Sequence, residues 1–324
     1  MRKVSKTLAG IALIILVATL TFTGCRRQGG GGAAAGPQRY RVALLSKDNS
    51  DTFVRNIVDA AAAKANQLSE HLVLTVLDAE NQIHRQIQQA EDMITQRFDA
   101  IILIPVDYEG SAPIVDMVLN AGITLVGINT TTPNMDRVTY VGSDDVDAGR
   151  IQAEWLRANL QPGSRIVYLE GPIGLSPQIF RRQGLWEHLI NDPAMNINVL
   201  DAQTANWKRD EAMTLAENWI TRFGADGIDA IVAQNDDMAL GALEAVEARG
   251  LRDRILLIGV DAISDALLAV RAGRLDATVF QDAEGQGAGG VDAALELLRT
   301  GQQRMPDVWI PFVEVTQANV NQFM

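Results

Sequence analysis

Only one cysteine occurs in the 324 residues, Cys25, so no disulfide can form within the chain. Histidine is almost as scarce. His71, His84 and His188 lie too far apart to show metal-ligand spacing, and no Cys/His zinc pattern exists, so neither metal nor cofactor is expected. Aromatic residues make up 5%. Basic residues are outnumbered, 28 Lys and Arg against 40 Asp and Glu, which gives a net charge of -12. A surface that acidic repels nucleic acid, whose binding needs a basic footprint. It suits a protein that handles a neutral ligand. With 47% hydrophobic and 21% charged residues the balance is that of a globular protein, which excludes disorder, collagen and a polytopic membrane protein. The length suits about two domains.

Arg2, Lys3 and Lys6 precede an apolar run from Leu8 to Phe22, and small residues then lead to Cys25. This reads as a secretory signal, too short for a membrane span. Thr23-Gly24-Cys25 resembles the lipobox of bacterial lipoproteins, although Phe22 stands where that box usually opens with Leu. The resemblance implies cleavage after residue 24, lipidation of Cys25 and a membrane-anchored, exported protein. The alternative is an uncleaved N-terminal anchor. Residues 25–37 include four consecutive glycines and form a flexible tether.

From Arg41 the chain alternates short apolar runs with helical stretches. Strands are expected at Arg41–Ser46, Leu72–Leu77, Ala100–Ile104, Ile123–Ile128 and Val138–Val141. The rhythm restarts with strands at Arg165–Leu169, Ile197–Leu200, Ile228–Val232 and Ile255–Val260. Continuous apolar strands separated by helices mean parallel sheets covered on both faces. The fold class is therefore α/β, two doubly wound halves. Ligands of such sheets bind beyond the carboxyl ends of the strands, and the cleft between the halves is the expected site.

Enzyme signatures are few. Gly285-Gln-Gly287-Ala-Gly289-Gly290 matches GxGxxG after a strand-like Ala277–Phe280, but a lone fingerprint is weak and too little chain follows to build a dinucleotide domain. Its bland reading is a helix start packed close to its neighbours. No phosphate loop and no nucleophile elbow occur. The pairs Asp144/Asp145 and Asp236/Asp237 each begin a helix and read as caps. No enzyme activity is expected.

Ala233-Gln-Asn-Asp-Asp-Met-Ala-Leu-Gly-Ala242 resembles the ribose- and galactose-type periplasmic sugar-binding proteins, solute receptors of ABC importers with the type I periplasmic-binding fold. Val42-Ala-Leu-Leu45, Ile123–Asn129, Ile255–Asp261 and Arg274–Gln281 support it, in order, over about Arg41 to Gln317. The resemblance implies two Rossmann-like lobes joined by three crossing strands. One lobe would hold 38–143 plus 282–310, the other 144–281 plus 311–324. It also implies a sugar-binding role residue by residue. Asp51 and Phe53 follow the first strand, Asn129 and Thr130 the fourth. Arg181, Trp207, Asn235, Asp261 and Gln281 complete the set.

Elementary chemistry agrees with such a set. A sugar has hydroxyls that both donate and accept, and two apolar C–H faces. Phe53 and Trp207 can cover the faces. Asp51 and Asp261 can accept, Arg181 can donate, and the amides of Asn129, Asn235 and Gln281 can do both. Asn129-Thr130 replaces an Asp-Arg pair of the ribose type, and Val54 replaces a second aromatic, so the name ribose does not carry over. A hexose, another pentose, a polyol or a cyclitol such as inositol remains. The expected partners are an ABC permease and, through Cys25, a membrane; the protein is expected to be a monomer. The alternative is a sensing receptor that reports the sugar to a chemoreceptor or membrane kinase. A lac-repressor-type regulator would need a helix-turn-helix where the signal and tether stand.

Overall fold

The computed structural model describes residues 39–324. The signal, Cys25 and the tether lie outside the described residues. The first half runs β1 (Tyr40–Ser46), α1 (Thr52–Gln67), β2 (Leu72–Asp78), α2 (Ile83–Thr95), β3 (Ala100–Leu103), α3 (Ala112–Asn120), β4 (Thr124–Ile128) and β5 (Thr139–Gly142). The second begins with α4 (Asp145–Asn159), β6 (Arg165–Glu170), α5 (Ser176–Leu185), β7 (Asn198–Thr204) and α6 (Arg209–Phe223). It continues through β8 (Ala230–Ala233), α7 (Asp236–Ala248), β9 (Leu256–Ile258), α8 (Ser264–Arg271) and β10 (Ala277–Phe280). The chain ends with α9 (Ala283–Thr300), β11 (Val308–Trp309) and β12 (Val313–Thr316).

Two six-stranded sheets result, ordered β11-β5-β4-β3-β1-β2 and β12-β10-β9-β8-β6-β7. All pairings are parallel except β10 with β12. The fold is thus α/β with two lobes, as expected. Sheet membership changes between β5 and β6, between β10 and β11, and between β11 and β12.

Period-two alternation explains why the strands read as unbroken apolar runs. In β1, Val42 and Leu44 join the cluster of Phe53, Ile57 and Val291, while Ala43 and Leu45 join that of Met93, Ile114 and Val118. In β6, Val167 and Leu169 face Trp219 and Leu243, and Ile166 and Tyr168 face Leu156 and Leu185. Both faces of the central strands are buried, so strands such as β1, β3, β6 and β8 have no solvent side on which to show polar residues, whereas the edge strands β2, β7 and β11 do.

The GxGxxG glycines do not form a phosphate turn. Asp282 caps α9 by accepting from the amide of Gly285, and the helix runs through all of them. A Cβ at Gly287 would stand 2.2 Å from the carbonyl oxygen of Ile57, so the glycine lets α9 cross α1 at close range. Other differences from the sequence reading are local. The strand expected at Ile255–Val260 ends at Ile258, because Asp261 (φ 121°) turns the backbone and makes only an isolated bridge with Phe280. The strand expected at Ile197–Leu200 runs on to Thr204, past a bulge opposite Ile166/Val167. α8, β11 and β12 had no expectation.

Candidate functional site

The carboxyl ends of both sheets face each other, and the side chains named from the sequence converge there. Asp51 caps α1: its Oδ1 accepts from the amides of Phe53 (2.9 Å) and Val54 (3.1 Å). Phe53, in the first turn, is 6% exposed and rests on the core of the first lobe. Asn129 follows β4 in the left-handed region (φ 64°), a conformation asparagine tolerates. Its Nδ2 donates to Gln286 at 3.1 Å, and its Oδ1 is buried with no partner among the described residues.

The second lobe supplies the rest. Arg181, in α5, is buried; its Nε donates to Asp145 at 2.9 Å, one terminal nitrogen to the carbonyl of Gln234 and the other to Gln281 at 3.2 Å. Its guanidinium also stands 3.7 Å from Asp261. Gly149 and Gly184 set this geometry. A Cβ at either would come within 2.1 Å of backbone, at Arg181 or Val146 respectively, so α4 and α5 touch and Asp145 meets Arg181. Trp207 sits in the β7–α6 loop with φ 63°, its ring laid over Gly171, where a Cβ would collide with it at 2.0 Å. Its Nε1 is buried without a hydrogen-bond partner among the described residues. Asn235 caps α7, its Oδ1 accepting from Met238 at 3.0 Å. Asp261 follows β9, 5% exposed, and its Oδ1 has no hydrogen-bond donor among the described residues.

Asp51, Phe53, Asn129, Arg181, Trp207, Asn235, Asp261 and Gln281, with Lys47 and Pro177, line one narrow cavity between the lobes, with free space of about 20 Å³. Thr130 is the exception. It is fully buried, and its hydroxyl donates to the carbonyl of Pro105 at 2.7 Å, which turns it into the first lobe and away from the cavity. Lys47 and Asp145 escaped the sequence reading. Lys47 directly follows β1 at a strand end, a position that could have flagged it. Asp145 reads as a cap in sequence. Asp144 in fact caps α4, accepting from Val146, which leaves Asp145 for Arg181. The second acidic pair departs from the cap reading too. Asn235 caps α7, Asp236 accepts from Thr278 (2.6 Å) and the amide of Ile263 (3.0 Å), and Asp237 pairs with Arg209 at 2.9 Å.

Burial governs the site's charges. It pushes the Asp261 carboxyl well above the usual range against the pull of Arg181, with Asp236 and Asp51 adding to the rise. It also raises Asp236, to about 7, and Asp145. Arg181 loses something to burial and regains more from Asp145 and Asp261. Among the described residues no group of three His, Cys, Asp or Glu stands together as metal ligands. The site thus brings apolar faces, carboxylates and amides together.

The lobes also touch beside the cavity. The amide of Tyr108 donates to the carbonyl of Gly174 (2.9 Å), that of Thr131 to the hydroxyl of Ser176 (2.9 Å), and the rings of Tyr108 and Phe180 meet edge-on at 5.4 Å.

Comparison with known proteins agrees with this architecture. The family profile described as periplasmic binding protein domain matches residues 42–303. A protein of Rhizobium meliloti described as rhizopine-binding is 34% identical over 281 residues, covering 85% of this chain and 89% of its own. The xylitol-binding protein of Mycolicibacterium smegmatis is 34% identical over 304 residues, covering 93% and 83%. The crystal structure of an ABC transporter solute-binding protein from Bacillus halodurans with bound myo-inositol superposes with a TM-score of 0.82 at 34% identity, covering 90% of this chain and 98% of that one. With the fold, the strand-end site and the family profile in agreement, the chain belongs to the periplasmic binding protein family, whose members bind substrates and are not enzymes.

Proposed function

We propose that this protein captures a small neutral sugar or polyol in the cavity between its lobes and delivers it to an ABC importer. One observation carries the reading: Phe53 and Trp207, from opposite lobes, line the same cavity as Asp51, Asn129, Arg181, Asn235, Asp261 and Gln281. Aromatic faces suit the C–H faces of the ligand, and the polar groups suit its hydroxyls. Relatives and neighbours named for xylitol, ribose and myo-inositol support a polyol, pentose or cyclitol as ligand.

The ligand would close the lobes about the crossing segments near Ser143, Gln281 and Pro311. The lobes would then comprise 38–143 with 282–310 and 144–281 with 311–324. Lipidation at Cys25 would hold the protein at the outer face of a membrane, near its permease. Titration calorimetry with myo-inositol, xylitol and D-ribose tests the central reading. Saturable one-to-one binding of at least one supports it. Tight binding only of a peptide, a nucleotide or a phosphate ester would overturn it. The anchor has its own test: Cys25→Ala should leave the precursor unprocessed or release it from membranes, and a cleaved, membrane-bound product would refute lipidation.

A further inference from the structure

Tyr140 lies in β5, the last strand before the chain first passes to the other lobe, and no role above absorbs it. The residue is buried. Its hydroxyl donates to the carbonyl of Asn129 at 2.6 Å and stands 3.4 Å from the carbonyl of Ser143, at the crossing itself. Its amide donates to Asp307, just before β11, at 3.1 Å, and its ring meets that of Trp309 in β11 at 5.4 Å. A Cβ at Gly142 would come within 2.3 Å of the hydroxyl, so this glycine leaves the room that the hydroxyl occupies.

Asn129 needs such a tie. Its left-handed backbone persists only where the surroundings hold it. The Tyr140 hydroxyl holds the carbonyl of this turn, and Gln286 holds the side-chain nitrogen at 3.1 Å. Oδ1 is then the free end of a residue that lines the cavity. Burial, with Asp145 and Asp144 adding to it, pushes the Tyr140 hydroxyl well above its usual range, so it stays a donor at neutral pH. Tyr140 does not line the cavity, so whatever it does for a ligand it does through another residue.

Resting on the polyol reading above, we infer that Tyr140 is a positioning residue, whose hydroxyl fixes the left-handed turn that presents Asn129 to the ligand and ties that turn to the segments on which the chain crosses between lobes. The link runs from Asn129 through the hydroxyl to Ser143 and through the ring to Trp309. A shift of either crossing segment would carry the Asn129 amide with it. Phenylalanine has the same shape but cannot make the link, because the turn's carbonyl then loses its donor.

The test is a double-mutant cycle read by calorimetry, with whichever of myo-inositol, xylitol and D-ribose the wild type binds. Tyr140→Phe keeps the ring on Trp309 and removes only the hydroxyl. Asn129→Gly removes the amide at the cavity and keeps a residue at home in the left-handed region. Gly142→Ala, whose Cβ would push the hydroxyl aside, is read the same way and covers the case in which Tyr140→Phe misfolds. Thermal melting without ligand checks the fold of each variant. Tyr140→Phe should weaken binding by at least about threefold, the loss expected of one net hydrogen bond. In the Asn129→Gly background the same substitution should change affinity by less than about twofold, because the residue it acts through is gone. A tyrosine that merely supports the fold would cost the same in both backgrounds. A first loss below about threefold, or a second of about twofold or more, overturns the inference while leaving the polyol reading standing. Should Asn129→Gly bind too weakly to measure, the crystal structure of Tyr140→Phe decides: an Asn129 amide that has left Gln286 supports the inference, and an unmoved one overturns it. If the wild type binds none of the three compounds, the polyol reading falls and takes this inference with it.

Discussion

Asp261 and Asn235 stand at neighbouring strand ends, yet their substitution should move stability in opposite directions. Asp261 is a buried carboxyl with one oxygen unpartnered, and its positive φ adds backbone strain. Asp261→Ala removes an acceptor from the ligand, at about 1–3 kcal/mol for each hydroxyl left unmet. It also removes a desolvated acid from the protein. Binding should fall by about tenfold or more while the ligand-free protein becomes no less stable in urea. Asn235→Ala also loses a cap on α7, so binding and about 1 kcal/mol of stability should go together. Asp237 pairs with Arg209 at the rim, and Asp237→Ala should change stability by less than about 1 kcal/mol and leave affinity nearly unchanged. Calorimetry and urea denaturation on the three decide it; equal affinity losses would mean that the wrong face of this turn has been assigned to the ligand. The same residues show what a sequence can tell. Asp51, Asn129, Asn235, Asp261 and Gln281 are legible because each follows a recognisable strand. Asp145 is not, because its partner Arg181 lies in another helix and only the packing of α4 on α5 joins them.

Helix contacts carry the site as much as side chains do. Gly149 and Gly184 let α4 and α5 meet at backbone distance, and this contact aims Arg181 at the cavity. Gly184→Ala therefore sets two effects against each other. Alanine favours a helix interior by about 1 kcal/mol, whereas a Cβ driven against the carbonyl of Val146 forces the helices apart, at about 1–3 kcal/mol or more. The second effect should win because its obstacle is backbone and cannot rotate away. The urea midpoint should fall, and ligand affinity should fall with it as Arg181 shifts. A more stable variant with wild-type affinity would show that the contact is not what positions the arginine. Glycine is ambiguous in sequence for this reason. It announces that something comes close without saying what, so the glycines of α9 resemble a phosphate turn although Gly287 serves the crossing with α1 and Gly290 packs on Ile128 of β4. The strand–helix rhythm was legible because the central strands of each sheet are buried on both faces. β11 escaped because it is two exposed residues, Val308 and Trp309, with Trp309 leaning on Tyr140.

At the scale of the whole molecule, the balance between the lobe contacts and the cavity predicts how the lobes respond to ligand. Outside the cavity, the lobes are joined at their flank by the Tyr108–Gly174 and Thr131–Ser176 hydrogen bonds and one aromatic edge contact. A net intramolecular hydrogen bond is worth about 0.5–1.5 kcal/mol, and an aromatic pair a similar amount. Against this, the arrangement of the lobes buries Asn129 Oδ1, Trp207 Nε1 and Asp261 Oδ1 without hydrogen-bond partners among the described residues, at about 1–3 kcal/mol each. Parting the lobes returns these groups to water. The proposed polyol would give them hydrogen bonds without parting the lobes, so ligand and closure should be coupled. Small-angle scattering should give a larger radius of gyration for ligand-free protein than for protein saturated with the tightest compound of the calorimetric panel. Tyr108→Ala removes the ring contact and keeps the amide, so it should favour the open form and weaken binding by up to about tenfold without touching the cavity. An identical radius with and without bound ligand would mean that the flank contacts alone hold the lobes together, and that the unpartnered groups cost less than their burial implies.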